Sequence, residues 1–234
     1  MLADERVQGV ILTPADAAGL GSNALLDLGI PVVAFDRVID DPRADAVICD
    51  NEDGIRRLTE HFIWLAHRRI AYVGGRSHVE TGASRLAGYL SAVRASGIVP
   101  FTVEGEFRAD RAEIAVRELL DRGIRPSAMV IANNVMAIGT MRALRNAGLR
   151  VPDDVAIGAV DDPIWAELVD PPLTTVAQPV RMLAQTAMRL IVERIEGGRT
   201  EARRVVLPME LRIRRSSGGP IAIETTGAAG AADA

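Results

Sequence analysis

The chain has 234 residues, 48% hydrophobic and 25% charged, enough for one substantial core or two smaller ones, and no apolar stretch reaches the roughly 18 residues of a membrane span. The start, MLADERVQG, is too charged for a secretory h-region, so a bacterial cytosol is the expected setting, and the single Cys49 with three scattered histidines excludes an internal disulfide and offers no metal-ligand cluster. A net charge of -4 and a pI near 5.5 give the chain no electrostatic footprint for gripping phosphates; by itself it is not expected to hold DNA.

In chain order, apolar runs fall at Val7 to Thr13, Pro31 to Phe35, Ala46 to Cys49, Arg69 to Val73, Ala128 to Ala132 and Val155 to Val160. They are continuous rather than two-periodic and alternate with helical patterns. That combination predicts an α/β fold whose parallel sheet is covered by helices on both faces. Ile55, Leu58, Phe62 and Leu65 form one apolar stripe on a helix that starts near Asn51 to Asp53. Leu183, Ala187, Leu190, Ile191 and Ile195 do the same for a helix closed by Gly197 and Gly198. From Ser216 on, SSGGPIAIETTGAAGAADA lacks periodicity, and residues 218 to 234 read as a disordered tail.

Four of the apolar runs end in polar pairs: Asp36-Arg37, Asp50-Asn51, Asn133-Asn134 and Asp161-Asp162. In open α/β sheets ligands bind beyond the carboxyl ends of the strands, so these pairs are candidate site groups. Helix capping alone would also place Asp and Asn there. The stretch AIGAVDDPIWAELVDPPLTTVAQPV sets the question most sharply, because two adjacent acids close a buried run.

The stretches VICDNEDGIRRLTEHFIWLAHRRIAYVGG, SRLAGYLSAV, AMVIANNVMAIGTMRALRNAGLRVPDDVAI, DDPIWAELVDPPLTTVAQPV and VVLPMELRIRRSSG resemble the effector-binding core of the lactose-repressor (LacI/GalR) family of bacterial transcription regulators. The resemblance runs from about Val7 to Gly218. It implies a two-lobed, periplasmic-binding-protein-like fold. Residues 1–49 with 179–204 would form a partial N-terminal lobe and 50–178 with 205–217 the other, with a sugar or nucleoside effector in the cleft. It also implies a homodimer, and operator DNA bound only through a helix-turn-helix head. That head and the opening strands of the first lobe precede GVILTPAD in the family and are absent from this sequence, so the first lobe is expected to be incomplete.

What the resemblance implies for single residues is as follows. Arg85 would offer its fork to vicinal hydroxyls or a carboxylate, Asp161 would accept from hydroxyls, and Asn133 would both donate and accept. Phe107 would lie on the ligand's apolar face or in the core. Asp36, Asp50 and Gln178 would line the cleft at a strand end and at the crossings. Asp162 is read as a turn or cap acid before Pro163, and Asn134, where many members carry Asp, as a cap. His61, His67 and His78 are read as structural or solvent-facing, and no cofactor, metal or catalytic residue is expected.

Two other classes are weighed. GLGSNA, Gly19 to Ala24, fits a dinucleotide G-x-G-x-x-A, with Asp36 as its acid, but PADAA separates it from the strand before it, so an NAD-dependent oxidoreductase fits poorly. A periplasmic sugar-binding protein shares the fold and would need an export signal.

Overall fold

The computed structural model describes residues 7–15, 20–197 and 201–219. Its elements are β1 (Val10–Leu12), α1 (Leu20–Asp27), β2 (Val32–Phe35), β3 (Asp45–Cys49), α2 (Asn51–Trp64), β4 (Ile70–Gly74), α3 (Glu80–Ala95), β5 (Phe101–Glu104), α4 (Ala109–Asp121), β6 (Ala128–Ile131), α5 (Asn134–Asn146), β7 (Ala156–Val160), α6 (Trp165–Leu168), β8 (Thr174–Ala177), α7 (Val180–Ile195), β9 (Arg204–Leu207) and β10 (Glu210–Arg212), followed by a 3-10 turn at Arg215–Ser217. The strands make two sheets, ordered β1-β2-β3-β9 and β10-β8-β7-β6-β4-β5. All neighbours are parallel except β10 with β8.

Four of the six apolar runs become strands buried on both faces, while the run Val7 to Thr13 gives β1, whose residues are half-buried or exposed, and β2 ends half-buried at Phe35. Every residue of β3, β4, β6, β7 and β8 is buried. The second sheet is covered twice over. A Cβ placed on Gly158 would meet Leu58 of α2 at 2.7 Å, while its neighbour Ile157 shares a cavity wall with Ile138, Met141 and Leu144 of α5. Adjacent strand residues point to opposite faces, so α2 and α5 lie on opposite sides.

β5 was not foreseen, because its residues alternate half-buried and exposed at one edge of the sheet, where an apolar run is not required. The stripe Ile55, Leu58, Phe62 and Leu65 is buried as expected. Of the expected stripe on α7, Leu183, Ala187, Leu190 and Ile191 are buried, whereas Ile195 is exposed. Gly197 follows that helix with φ 71°, the left-handed conformation that ends helices at little steric cost to glycine.

Two boundaries differ from expectation. β9 pairs with β3 over Arg204 to Leu207, so the chain changes sheets at Pro208–Met209 and not at Arg204. Ser216 and Ser217 belong to the core. Ser216 Oγ donates to the carbonyl of Ile157 and accepts the Thr174 N–H, both at 2.7 Å, and Ser217 Oγ accepts from Thr174 Oγ1 at 3.0 Å and lies 3.1 Å from His61 Nε2. Residues 220–234, most of the expected tail, and Gly19 of the GLGSNA stretch lie outside the described residues.

His61 and His67 are both buried, and His67 Nδ1 lies 3.0 Å from Ser127 Oγ. Burial, with a smaller contribution from the charge of His61, pulls the His67 pKa down to about 4; burial lowers His61 as well. An unfolded chain would take up a proton near pH 6.5 that the folded chain refuses until about pH 4. Stability should therefore be full above pH 6.5 and fall as pH drops from 6.5 to 4, by up to about 3 kcal/mol. Urea denaturation at pH 7 and pH 5 checks this, and in His67→Gln the pH 7 to 5 difference should shrink by at least half. Ser216→Ala, which strands the buried Thr174 N–H, should lower stability by about 2 kcal/mol in the same assay.

Candidate functional site

The carboxyl ends of strands from both sheets converge on one gap, and two of them close in the same way. Asp36 follows β2 with φ 66° and Asp161 follows β7 with φ 74°. Left-handed backbone is uncommon for a residue with a side chain, and aspartate tolerates it better than most.

Close enough to Asp36 for its charge to be felt is Arg85 of α3, only 4% exposed. Its Nε donates to Asn51 Oδ1 at 2.7 Å and its Nη1 to the carbonyl of Ala132 at 2.6 Å. Those bonds fix the guanidinium against the start of α2 and the end of β6. Asp161 is held in turn. Gln178 Nε2 donates to Asp161 Oδ1 at 2.6 Å, and the Asn134 N–H approaches Oδ2 at 3.4 Å. Gln178 Oε1 accepts from the Cys49 thiol at 3.5 Å, so a short relay joins the end of β3 in one sheet to the end of β7 in the other.

Asp36 is the least satisfied member. Its Oδ1 is buried without a hydrogen-bond partner. Burial raises its pKa, the positive charges of Arg85 and Arg37 pull it back, and the negative charge of Asp161 adds to the rise. Cys49, beside it, is pushed up to about 12, chiefly by burial, and remains a thiol.

The other expected residues have more ordinary work. Asn133 is the N-cap of α5, accepting the Met136 N–H at 2.8 Å; the cap is therefore Asn133 and not Asn134, and the Asn133 amide NH2 keeps its donors. Asp50 caps α2 by accepting the Asp53 N–H at 3.0 Å, and it also borders the gap. Phe107, at φ 60°, lays its ring on two glycines. A Cβ on Gly75 would lie 2.0 Å from that ring and one on Gly82 3.5 Å away.

The gap holds about 190 Å³, lined among others by Asp36, Cys49, Asp50, Asn51, Glu80 and Arg204. Asn51, Glu80 and Arg204 were not anticipated as site residues. Asn51 was visible as the second member of a strand-end pair, whereas Glu80 and Arg204 carry no local signal. Three larger cavities, about 710 Å³ beside the end of α7, about 590 Å³ against α5 and about 330 Å³ beside His67 and Asp154, lack such a convergence of polar groups from both sheets. The small gap is the better candidate, since binding sites are marked by convergent polar groups of perturbed pKa.

Asp162 turns away from the gap and anchors it. Its side chain, 8% exposed, takes Arg214 Nη1 at 2.6 Å and Nη2 at 3.0 Å, Arg212 Nη1 at 2.5 Å and Thr175 Oγ1 at 2.9 Å. This is a buried ion-pair hub, more than the turn acid expected. The hydrogen bonds from Arg214 hold its pKa at about 2, below the usual carboxylate value, so its contribution is present above pH 4 and lost as pH falls from 4 towards 2. Asp162→Ala leaves Arg214 largely buried and short of its counter-ion, and should lower stability by about 3 kcal/mol in urea denaturation at pH 7. A loss under 1 kcal/mol would reduce the hub to a surface pair.

Residues 59–217 match the model of the periplasmic binding protein-like domain family. The transcriptional regulator CelR of Thermobifida fusca is 36% identical over 220 residues, which cover 92% of this chain and 65% of that protein; the chain thus spans just under two thirds of that relative's length. A solved CelR–cellobiose complex, 36% identical, superposes with a TM-score of 0.86 over 93% of this chain and 68% of that one. The lac repressor dimer bound to operator and the anti-inducer ONPF, 31% identical, superposes with a TM-score of 0.82 over 92% of this chain and 76% of that one. With a family model matched over most of its length and relatives of this closeness in sequence and fold, the chain belongs to the lactose-repressor family of transcriptional regulators.

Proposed function

We propose that this chain is the effector-sensing core of a bacterial transcriptional regulator. On this reading the two sheets are the cores of two lobes, residues 7–49 with 179–207 and residues 50–178 with 210–217. A small neutral polyhydroxylated effector, a sugar or nucleoside, binds between them. The observation that carries the reading is that Asp36 feels the charges of Arg85 and Asp161 and that Cys49, Gln178 and Asp161 are joined by hydrogen bonds, which draws strand ends of both sheets together beside the gap that Asp36, Cys49 and Asp50 line.

The chemistry suits hydroxyl rings. Asp36 Oδ1 and the free lone pairs of Asp161 accept, while Arg85 and the Asn133 amide donate, so a vicinal diol can satisfy both kinds at once. An anionic ligand would meet two carboxylates for one buried guanidinium. Because the relatives are regulators, the site is read as one that binds and releases its ligand unchanged. A ligand that favours one lobe arrangement shifts the equilibrium by its differential affinity, and that shift is what reaches operator DNA, through a DNA-binding head, in a homodimer in the cytosol.

Calorimetric titration with cellobiose, ribose and a set of purine nucleosides tests this. A ligand of the panel should bind, and Asp161→Asn should weaken it by about ten- to a hundredfold, the scale of one or two charge-assisted hydrogen bonds at 1.4 kcal/mol per tenfold. Asp162→Asn should spare affinity at temperatures where the fold holds. Equal affinity for the parent and Asp161→Asn would remove the assignment.

A further inference from the structure

The gap holds 190 Å³, less than the roughly 300 Å³ or more of ordinary ligand pockets. One side chain spans it. Glu80, the first residue of α3 over the second sheet, reaches across to two groups of the first sheet's side. Its Oε2 accepts the backbone N–H of Val38, just beyond β2, at 3.1 Å, and its Oε1 takes Arg204 Nη2 of β9, also at 3.1 Å.

We propose that Glu80 is a positioning residue for effector binding, a latch that holds the two lobes closed by bonding Val38 and Arg204 across the cleft mouth. This rests on the effector-cleft reading above and deepens it. The latch is well placed, since Glu80 and Arg204 line the same gap as Asp36, Asp50 and Asn51. It is also weak enough to be reversible. Glu80 is 28% and Arg204 58% exposed, so water screens the pair and can replace it when the lobes part.

Two oxygens serve two different partners, which divides the latch into a charged half and a neutral half. Opening breaks both and leaves the Val38 N–H and Arg204 to water, at a cost small enough for a ligand to repay. A ligand that carries its own hydroxyls to Asp36 and Arg85 then closes the same mouth, and the latch adds to its hold without touching it.

The distance measurement itself needs no effector. Ala24 of α1, a helix packed on β2, and Ala95 of α3, a helix packed on β4, are exposed, and Cys49 is buried, so Ala24→Cys with Ala95→Cys can carry a spin-label pair that reports the lobe separation by dipolar spectroscopy. Glu80→Ala should raise the ratio of long to short separations about fivefold, the scale of one partly exposed ion pair with a hydrogen bond. Glu80→Gln, which keeps an acceptor for Val38 and loses the charge, should raise it by about twofold, and so should Arg204→Gln. The double variant should add nothing beyond either single one, because both remove the same pair. Coincident distributions for the parent and Glu80→Ala would overturn the latch, as would additive effects of the two glutamine substitutions. If Glu80→Ala fails to fold, Arg204→Gln and the double variant decide alone. An unmoved separation beside normal sugar binding sinks the latch and leaves the effector reading; a moved separation with no sugar bound does the reverse.

Discussion

A guanidinium that is almost wholly buried governs the centre of this molecule. Taking a charge out of water is expensive unless hydrogen bonds and nearby opposite charge compensate it, and Arg85 is held by hydrogen bonds, with the carboxyl of Asp36 near enough to feel its charge. Asn51 and the carbonyl of Ala132 take its N–H groups, and its charge is felt by Asp36. These partners come from the start of α2, the end of β6 and the end of β2, so one side chain makes three chain segments depend on one another. The two aspartates at left-handed strand ends follow from the same need, since strands that stopped in extended backbone would carry their last side chains along the sheet normal and not into the gap.

The apparatus around Asp161 shows how such a centre is kept in place. Asp161 is bonded on the gap side by Gln178, while its neighbour Asp162 is tied to Arg212 and Arg214 near the end of the chain. The same terminal segment is stitched into the core by Ser216 and Ser217. Adjacent acids thus do opposite work. One keeps lone pairs unused by the fold, and the other spends its hydrogen bonds on Arg212, Arg214 and Thr175.

At this gap the two sheets are joined by polar contacts, the Cys49–Gln178–Asp161 relay and Glu80 with Val38 and Arg204, beside an apolar cluster that both sheets share. Polar contacts partly open to water can exchange with solvent at small net cost, unlike the interdigitated core that unites α2 with β6, β7 and β8. On the proposed reading, opening and closing around a ligand would draw on contacts of the first kind and keep those of the second intact.

Much of this was legible in the amino-acid order. Parallel strands buried on both faces must be continuous and apolar, so β3, β4, β6 and β7 stood out, as did the stripe of α2; strand ends must be polar, so Asp36, Asp50, Asn133 and Asp161 could be picked as candidates. The motifs shared with the lactose-repressor family narrowed the class. Local order could not show β5, whose edge position relaxes the apolar requirement, or that Asn133 rather than Asn134 caps α5. It also could not show that Ser216 and Ser217, in a stretch with the composition of a tail, are buried. Nor could it connect Asp162 with Arg212 and Arg214, about fifty residues away, or Glu80 with Arg204, more than a hundred away. Periodicity and composition record what each segment needs from its own surroundings. Which charge meets which across the cleft is decided only when two sheets built from interleaved stretches of chain are brought edge to edge, and no local pattern encodes that meeting.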